Sequence, residues 1–557
     1  MLEKLDRIED ALNVIIALNK QIAAQSAQIL DLSGKLAERD QTVADQKETI
    51  EYLEKMLYGR KSEKTKYLDI PGQLDIFDLP GMEQPEKPEE TDEERESEHT
   101  AITYTRKKRK KKATSEELYR NLPSEKKVIP VSGKDRICPC CGEEMSHLGE
   151  KFARHEIGII PAKVKHYEIY QETVVCNKCK KDDEPVIVTA GLPGPLIPHS
   201  PADESAVAYA MYMNYVNSVP LYRQEKEWRQ MGLKVPRATL SNWILTCAEE
   251  YLSPLSERFH EEQMERLAIC ADETPCQVLR EKDRAPQSKS YMWLYCTVKD
   301  GKPPIAVYEY QPGRQGDYAA EFLKDFKGRY VVCDGYQGYN KLPARIIRCG
   351  CLAHVRRKWA DAIPPGRRNR APDGKAVPAE IGFDYCNRLF ELERVFWNSD
   401  DPEKREKARK KDEPKLWEEF WEWLDTVHAS DGSRLGKAVN YTQNQKPVLM
   451  NYLKDDILPI SNNFAENAAR PYAVGRKNFL FHNSSKGAKM SAVIYSVVET
   501  AKRNGLNVMT YLTEVMRAMR GLKKEERSVI IDDLMPWSER MQKTCNPEKS
   551  EKDQDSQ

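Results

Sequence analysis

Three carboxylates in this 557-residue chain stand where ordinary structural roles explain them poorly. Asp272 follows the apolar run RLAICA, and Asp334 follows GRYVVC; both runs read as short buried strands with an acid at the end. A buried carboxylate is expensive unless it is paired or bound to a metal. Carboxylates at neighbouring strand ends hold hard divalent cations such as Mg²⁺, which prefer oxygen ligands. A pair of such ions activates a nucleophile and stabilises the leaving oxygen in phosphoryl transfer. A third acid on a helix would complete the set, and Glu466, in SNNFAENAARPYAVGRKNFLF, is the candidate. Local readings of Glu466 compete with that one. Asn463-x-x-Glu466 has the form of a capping box, and Glu466 and Arg470 have the spacing of a helical ion pair. Arg470, Arg476 and Lys477 suit phosphate contacts, since arginine offers a bidentate fork and lysine a point charge.

A second chemistry lies upstream. Cys138-x-x-Cys141 and Cys176-x-x-Cys179 are two knuckles separated by the length of a small β module. Four thiolates form a closed tetrahedral set, the usual form of structural zinc. Cys140 is then a spare thiol, although a register that uses it is also open. The chain has 14 cysteines and no signal-peptide pattern, which points to buried thiols and metal ligands rather than a disulfide framework. No segment reaches the length of a membrane span. The expected location is therefore the cytoplasm, associated with the nucleoid.

The elements that must position these groups are legible as patterns. From about residue 264, YMWLYCTV and PIAVYEYQ read as strands, YAAEFLKDF as a helix and ARIIRCGCLAH as a further strand, which together describe a mixed α/β domain. Alternation along the first strand puts Ala268, Cys270 and Asp272 on one face and Glu273 on the other, so Glu273 is the bystander. Asp334 and Glu466 are 132 residues apart, room for a helical insertion that holds Trp417, Trp421 and Trp423, read as core. Leu221 to Leu245 reads as helix, Gly-containing turn and second helix, a helix-turn-helix pattern that would offer Arg237, Thr239, Ser241 and Asn242 to DNA. At the N-terminus, Ile8, Ile15, Ile22, Ile29, Leu36, Val43, Ile50 and Leu57 repeat every seven residues, as in a parallel two-stranded coiled coil. Lysine plus arginine and aspartate plus glutamate number 88 each, so net charge identifies no partner. The run RKKRKKK at 106–112 follows an acidic stretch within a linker and can contact nucleic-acid backbone.

ADET around Asp272, CDGYQGYN around Asp334 and NNFAENAARPYAVGRKNFLF around Glu466 closely resemble the three catalytic blocks of the insertion sequence 66 family of DDE transposases. CLAHVRRKW, with Cys351 and His354, resembles a further block, read as active-site support. The resemblance covers nearly the whole chain. It implies a multidomain α/β protein with an RNase H-like catalytic domain, in which Asp272, Asp334 and Glu466 bind two Mg²⁺ (or Mn²⁺) ions. It further implies cleavage and strand transfer at the ends of a DNA element, with double-stranded DNA as partner. A homodimer or higher homo-oligomer and accessory proteins of the same element are also expected. The expected domains are a coiled coil at 1–60, a charged linker at 61–125 and a zinc module at 126–190. A helix-turn-helix-like segment at 200–262 precedes the catalytic domain at 263–482, whose helical insertion spans about 361–455. Helices and a disordered tail occupy 483–557. A zinc-containing DNA-binding regulator without catalysis, a decayed transposase that retains only its binding modules, and a related metal-dependent nuclease are the alternatives. Elemental analysis of the purified protein is expected to find about one zinc per chain and to find it lost in Cys138→Ser and Cys176→Ser; a zinc-free wild type contradicts the assignment.

Overall fold

The computed structural model describes residues 162–175, 187–191, 194–364, 376–399 and 401–549, with scattered positions between 20 and 39. The cysteines Cys138, Cys140, Cys141, Cys176 and Cys179, the cation run at 106–112 and most of the heptad segment lie outside the described residues. The described positions between 20 and 39 are helical, and Ile22, Ile29 and Leu32 among them are exposed.

The first described strands, β1 (Thr173–Val175) and β2 (Ile187–Thr189), pair antiparallel. Helices α1 (Glu204–Tyr215), α2 (Leu221–Gln230), α3 (Arg237–Cys247) and α4 (Ser253–Met264) follow. Next come β3 (Ala268–Arg280), β4 (Lys289–Thr297), β5 (Ala306–Gln311), α5 (Gly316–Phe322), β6 (Tyr330–Cys333) and β7 (Ile347–Gly350). Helices α6 (Leu352–Ala362), α7 (Pro378–Asn398), α8 (Pro402–Lys407), α9 (Glu413–Asp425) and α10 (Arg434–Leu449) precede α11 (Asn463–Phe479). The last described elements are β8 (His482–Ser484), α12 (Ser485–Arg503), α13 (Val508–Met519), α14 (Lys524–Ile530) and α15 (Glu539–Cys545).

The chain divides into two compact units, one made of Arg329–Tyr339 and Ala344–Asn463 and the other of the remaining described core. In the larger unit β3, β4 and β5 form an antiparallel meander, and β8 adds to β3 in parallel, so the sheet is mixed. β4 is central and buried on both faces, which suits its Trp293, Leu294 and Tyr295. β5 is bordered by α12. The amide of Tyr308 donates to Ser496 Oγ (2.8 Å) and that of Ala306 to Thr500 Oγ1 (3.1 Å), two hydroxyls one helical turn apart. They satisfy edge groups that would otherwise invite another strand. Arg266, buried beneath the β4–β5 hairpin, donates to both Asp300 carboxylate oxygens (2.8 Å each) and to the Pro303 carbonyl (2.7 Å).

The strand that carries Asp272 is longer than its apolar run. β3 does not end at Asp272; it pairs with β4 without a break to Gln277↔Lys289 and runs on to Arg280. From Thr274 to Val278 buried and exposed residues alternate, and the ladder with β4 continues to Gln277.

The smaller unit pairs β6 and β7 in parallel and packs them with helices α6 to α10. Trp359 of α6 lies against Gly382 of α7, where an added Cβ would stand 2.4 Å from the indole, so only glycine allows this approach. Trp417 and Trp421 are buried, and Trp423 is half-buried against Trp359, Tyr385 and Phe420, so all three pack in the core. Arg409, in a π-helical turn at Ala408–Asp412, is buried among Glu393 (2.9 Å) and the carbonyls of Asp455, Asp456 and Leu458. Burial and the adjacent Glu393 push Glu413 up to about 9; burial raises Glu393 as well, with the Arg409 guanidinium opposing the shift.

The nine cysteines among the described residues are all buried, and no described helix is long and apolar enough to cross a membrane.

Glu309, on the same face of β5 as its cross-strand neighbour Trp293, receives Gln311 Nε2 at Oε1 (2.8 Å), while its buried Oε2 makes no hydrogen bond. Burial raises its carboxyl to about 7. The folded state therefore keeps the proton to higher pH than the unfolded chain does, and the stabilisation is lost as pH rises through about 7. Glu309→Gln is expected to be the more stable protein at alkaline pH, the gap over wild type widening by about 2 kcal/mol between pH 5 and 8. Thermal melts at the two pH values check this, and a constant gap contradicts it.

Candidate active site

Asp272 sits half-buried on the face of the meander that also carries Leu294 and Tyr308, its neighbours across β4 and β5. Its Oδ1 accepts the amide of Glu273 (2.9 Å). Glu273 points to the opposite face, where its buried carboxylate is paired with Arg314, whose Nε donates to Oε1 at 2.7 Å. The alternation along β3 thus separates the two neighbouring acids into a half-buried one and a neutralised buried one.

Helix α11 is fastened to the Asp272 face at two places. The Tyr308 hydroxyl donates to the carbonyl of Ala468, two residues beyond Glu466. Two turns further on, the Arg476 guanidinium donates to Thr274 Oγ1 (3.3 Å) and to the carbonyl of Pro275, on the strand just past Asp272. Glu466 lies in the first turn of α11, half-buried. Of the three cations expected to face phosphate, Arg470 and Lys477 are exposed on α11, while Arg476 is half-buried and engaged by β3. The tether was not legible in the sequence, because Arg476 and Thr274 are 202 residues apart.

Asp334 belongs to the smaller unit. It directly follows β6, half-buried, and its Oδ1 accepts the amide of Tyr336 (2.9 Å), which folds the DGY stretch into a tight turn. Gly335 fits here because an added Cβ would meet the Tyr441 hydroxyl at 2.7 Å. Burial first, and then the Asp334 charge, raises the Tyr441 phenol above its usual range. In the same unit Cys351 is buried at the N-terminus of α6, with His354 half-buried in the first turn. Cys351 Sγ accepts the amide of Asn462 (3.2 Å), and the Leu352 amide donates to the Ile460 carbonyl (3.0 Å). The segment 460–462, which leads into α11, is therefore moored beside the start of α6.

In the helical segment before the meander, α2 and α3 are joined by a turn in which Gly232 takes φ +94°. Trp228 and Trp243 bring the helices together (ring centroids 6.2 Å apart). Arg237 and Asn242 are exposed on the first turns of α3, with Thr239 and Ser241 half-buried beside them.

Family profiles match most of this chain. One described as "Transposase IS66 family" covers residues 199–490, more than half of the sequence and all three acidic blocks. A "zinc-finger binding domain of transposase IS66" covers 135–180, including Cys138, Cys141, Cys176 and Cys179. An "IS66 C-terminal element" covers 496–537, and "Transposase C of IS166 homeodomain" covers 45–125. The last match falls chiefly on the stretch read from sequence as a charged linker. The chain belongs to the IS66 family of transposases. Membership implies a divalent metal for the transposase domain and zinc for the cysteine module.

Among related proteins, the Uncharacterized protein y4qI of Sinorhizobium fredii (strain NBRC 101917 / NGR234) is 29% identical over 63% of this chain, and the match spans 65% of that relative's length. From the same organism, the Uncharacterized protein y4hP is 24% identical over 88% of this chain and 87% of its own. The Uncharacterized protein y4jD is 25% identical over 89% and 94%.

Arg476→Ala removes two hydrogen bonds from a half-buried charged group, a loss of about 1–3 kcal/mol. Amide exchange over 472–479 is expected to quicken and the melting temperature to fall. Unchanged exchange there means that Arg476 does not hold the helix.

Proposed function

We propose that this chain is a working DNA transposase that cuts phosphodiester bonds at the ends of its element and joins the freed ends to target DNA. The observation that carries the proposal is the tie between α11, the helix of Glu466, and the sheet face of Asp272. Asp334, the third acid, follows a strand in the smaller unit, where its half-buried carboxylate remains accessible. The mooring of Asn462 to Cys351 supports placing Cys351 and His354 beside the start of the Glu466 helix. An RNase H-like catalytic fold is the reading supported by an antiparallel meander, a helix and then parallel strands, with acids in the first strand and after the fourth.

Asp272, Asp334 and Glu466 offer only half-buried carboxylate oxygens, a donor set that fits hard divalent cations such as Mg²⁺ or Mn²⁺. Two such ions, when held there, supply Lewis-acid stabilisation of the charge that develops on the phosphoryl oxygens. In the first reaction a water oxygen forms a bond to phosphorus in line with the departing 3′-oxygen, which leaves as a hydroxyl. In the second, that 3′-hydroxyl forms the bond to a target phosphorus and displaces a second 3′-oxygen. Arg470 and Lys477, with Arg476 beside them, hold the flanking phosphates; Arg237, Thr239, Ser241 and Asn242 of α3 contact the element's terminal repeat. The zinc module stabilises the DNA-binding region. The heptad segment, with exposed Ile22, Ile29 and Leu32, pairs two subunits and so two ends. Accessory proteins of the same element assist, and the protein works in the cytoplasm at the nucleoid.

A strand-transfer assay with labelled element ends and Mg²⁺ tests the reading. Asp272→Asn, Asp334→Asn and Glu466→Gln are each expected to lower cleavage and joining by roughly a thousandfold while retaining DNA binding. Full activity in any one of them removes that residue from the catalytic set. Wild-type cleavage without joining identifies a nuclease instead.

A further inference from the structure

The last residues of the Glu466 block form an unusual corner. α11 ends at Phe479, and Leu480 adopts φ +67°, a left-handed conformation that a non-glycine residue takes at a cost. The corner is held by the Leu480 amide to the Arg476 carbonyl (2.8 Å) and the Phe481 amide to the Phe479 carbonyl (2.8 Å). Both flanks are anchored inward. Phe479 packs on Tyr472 and His482, His482 is buried and hydrogen-bonded to the Tyr472 hydroxyl (2.9 Å), and β8 continues the sheet through His482↔Val278. Between these anchors the two large apolar side chains face solvent, Leu480 at 61% and Phe481 at 42% exposure.

The neighbouring charge points to the partner. From Asn467 to Val498 the sequence has five cations and no acidic residue; Arg476 is engaged by β3 and Lys486 is paired with Glu249 (2.6 Å), while Arg470, Lys477 and Lys489 are exposed. Arg470, Val474 and Lys477 share an exposed stripe of α11 that runs toward the corner. A rigid apolar pair at the end of a cationic stripe suits a polyanion with apolar faces inside. DNA fits that description, since its phosphates meet the cations and its base steps accept apolar wedges.

We propose that the Leu480–Phe481 corner is a wedge that opens a base step of the bound element end, while Arg470 and Lys477 hold the neighbouring phosphates. The proposal rests on the transposase reading for the position of the cut. Glu466 and Leu480 are 14 residues apart, about 21 Å along a helix. At about 3.4 Å per base pair, the opened step lies within about six base pairs of the cleaved bond.

The test uses the full-length protein and element-end duplexes in which 2-aminopurine replaces one base at a time. Wild type is expected to raise the fluorescence at one or two positions within that window. In Leu480→Ala/Phe481→Ala the rise disappears and cleavage falls roughly 5- to 100-fold, while the salt dependence of binding and the melting temperature are unchanged. Phe481→Trp restores the signal that Phe481→Ala loses. A fluorescence rise that survives the double alanine variant overturns the wedge. So does a fall in oligomer mass by light scattering with the DNA signal intact, which assigns the corner to a second copy of the chain. Glu466→Gln separates the two readings, because it removes chemistry and is expected to keep the fluorescence rise. Normal cleavage with no dependence of the signal on Leu480 and Phe481 defeats the wedge alone; a wedge-dependent signal without any wild-type cleavage defeats the catalytic reading alone.

Discussion

Much of the proposed site depends on how α11 is tied to the meander. The helix carries Glu466 near its start and the cations further along, and none of these can act on a common substrate if the helix slides. Tyr308 fastens it at Ala468 and Arg476 fastens it to the strand beyond Asp272. Both ties are made by buried or half-buried groups, where hydrogen bonds are poorly replaced by water. The same sheet is completed on its β5 side by Ser496 and Thr500 of α12, so the platform beneath α11 is closed against other strands.

The smaller unit shows the complementary arrangement. Its helices lie between Asp334 and Glu466 in sequence, the interval read as a helical insertion with a tryptophan core, and their centre is buried. Arg409 uses a π-helical turn to reach the carbonyls of Asp455, Asp456 and Leu458, and the chain then passes Ile460 and Asn462, both hydrogen-bonded at the start of α6. Arg409 opposes the upward shift that burial imposes on Glu393, its partner at 2.9 Å. The insertion therefore has a packed, hydrogen-bonded centre of its own.

The candidate acids are legible in the amino-acid sequence because each stands in a pattern that its neighbours along the chain make visible. The apolar runs ahead of Asp272 and Asp334 announce strands, and the alternation around Asp272 separates it from Glu273. The tryptophans of the insertion are legible as core for the same reason. The end of β3 is misplaced by sequence because an aspartate interrupts an apolar run, although the pairing ladder continues through it. Arg476 reads as a phosphate ligand because its type and its company suggest one, and its tether to β3 has no local signature.

The sequence by itself determined the chemistry on offer: three carboxylates, two cysteine knuckles, a heptad repeat and an acid-free cationic stretch after Glu466. These follow from residue type and short-range spacing, which the chain displays directly. Only the tertiary structure decided which face of the sheet receives α11, which arginine is a tether, and that Leu480 and Phe481 stand out while Phe479 and His482 turn in. Those outcomes depend on partners 160 and 202 residues away, or on a single backbone angle, and no local periodicity encodes either.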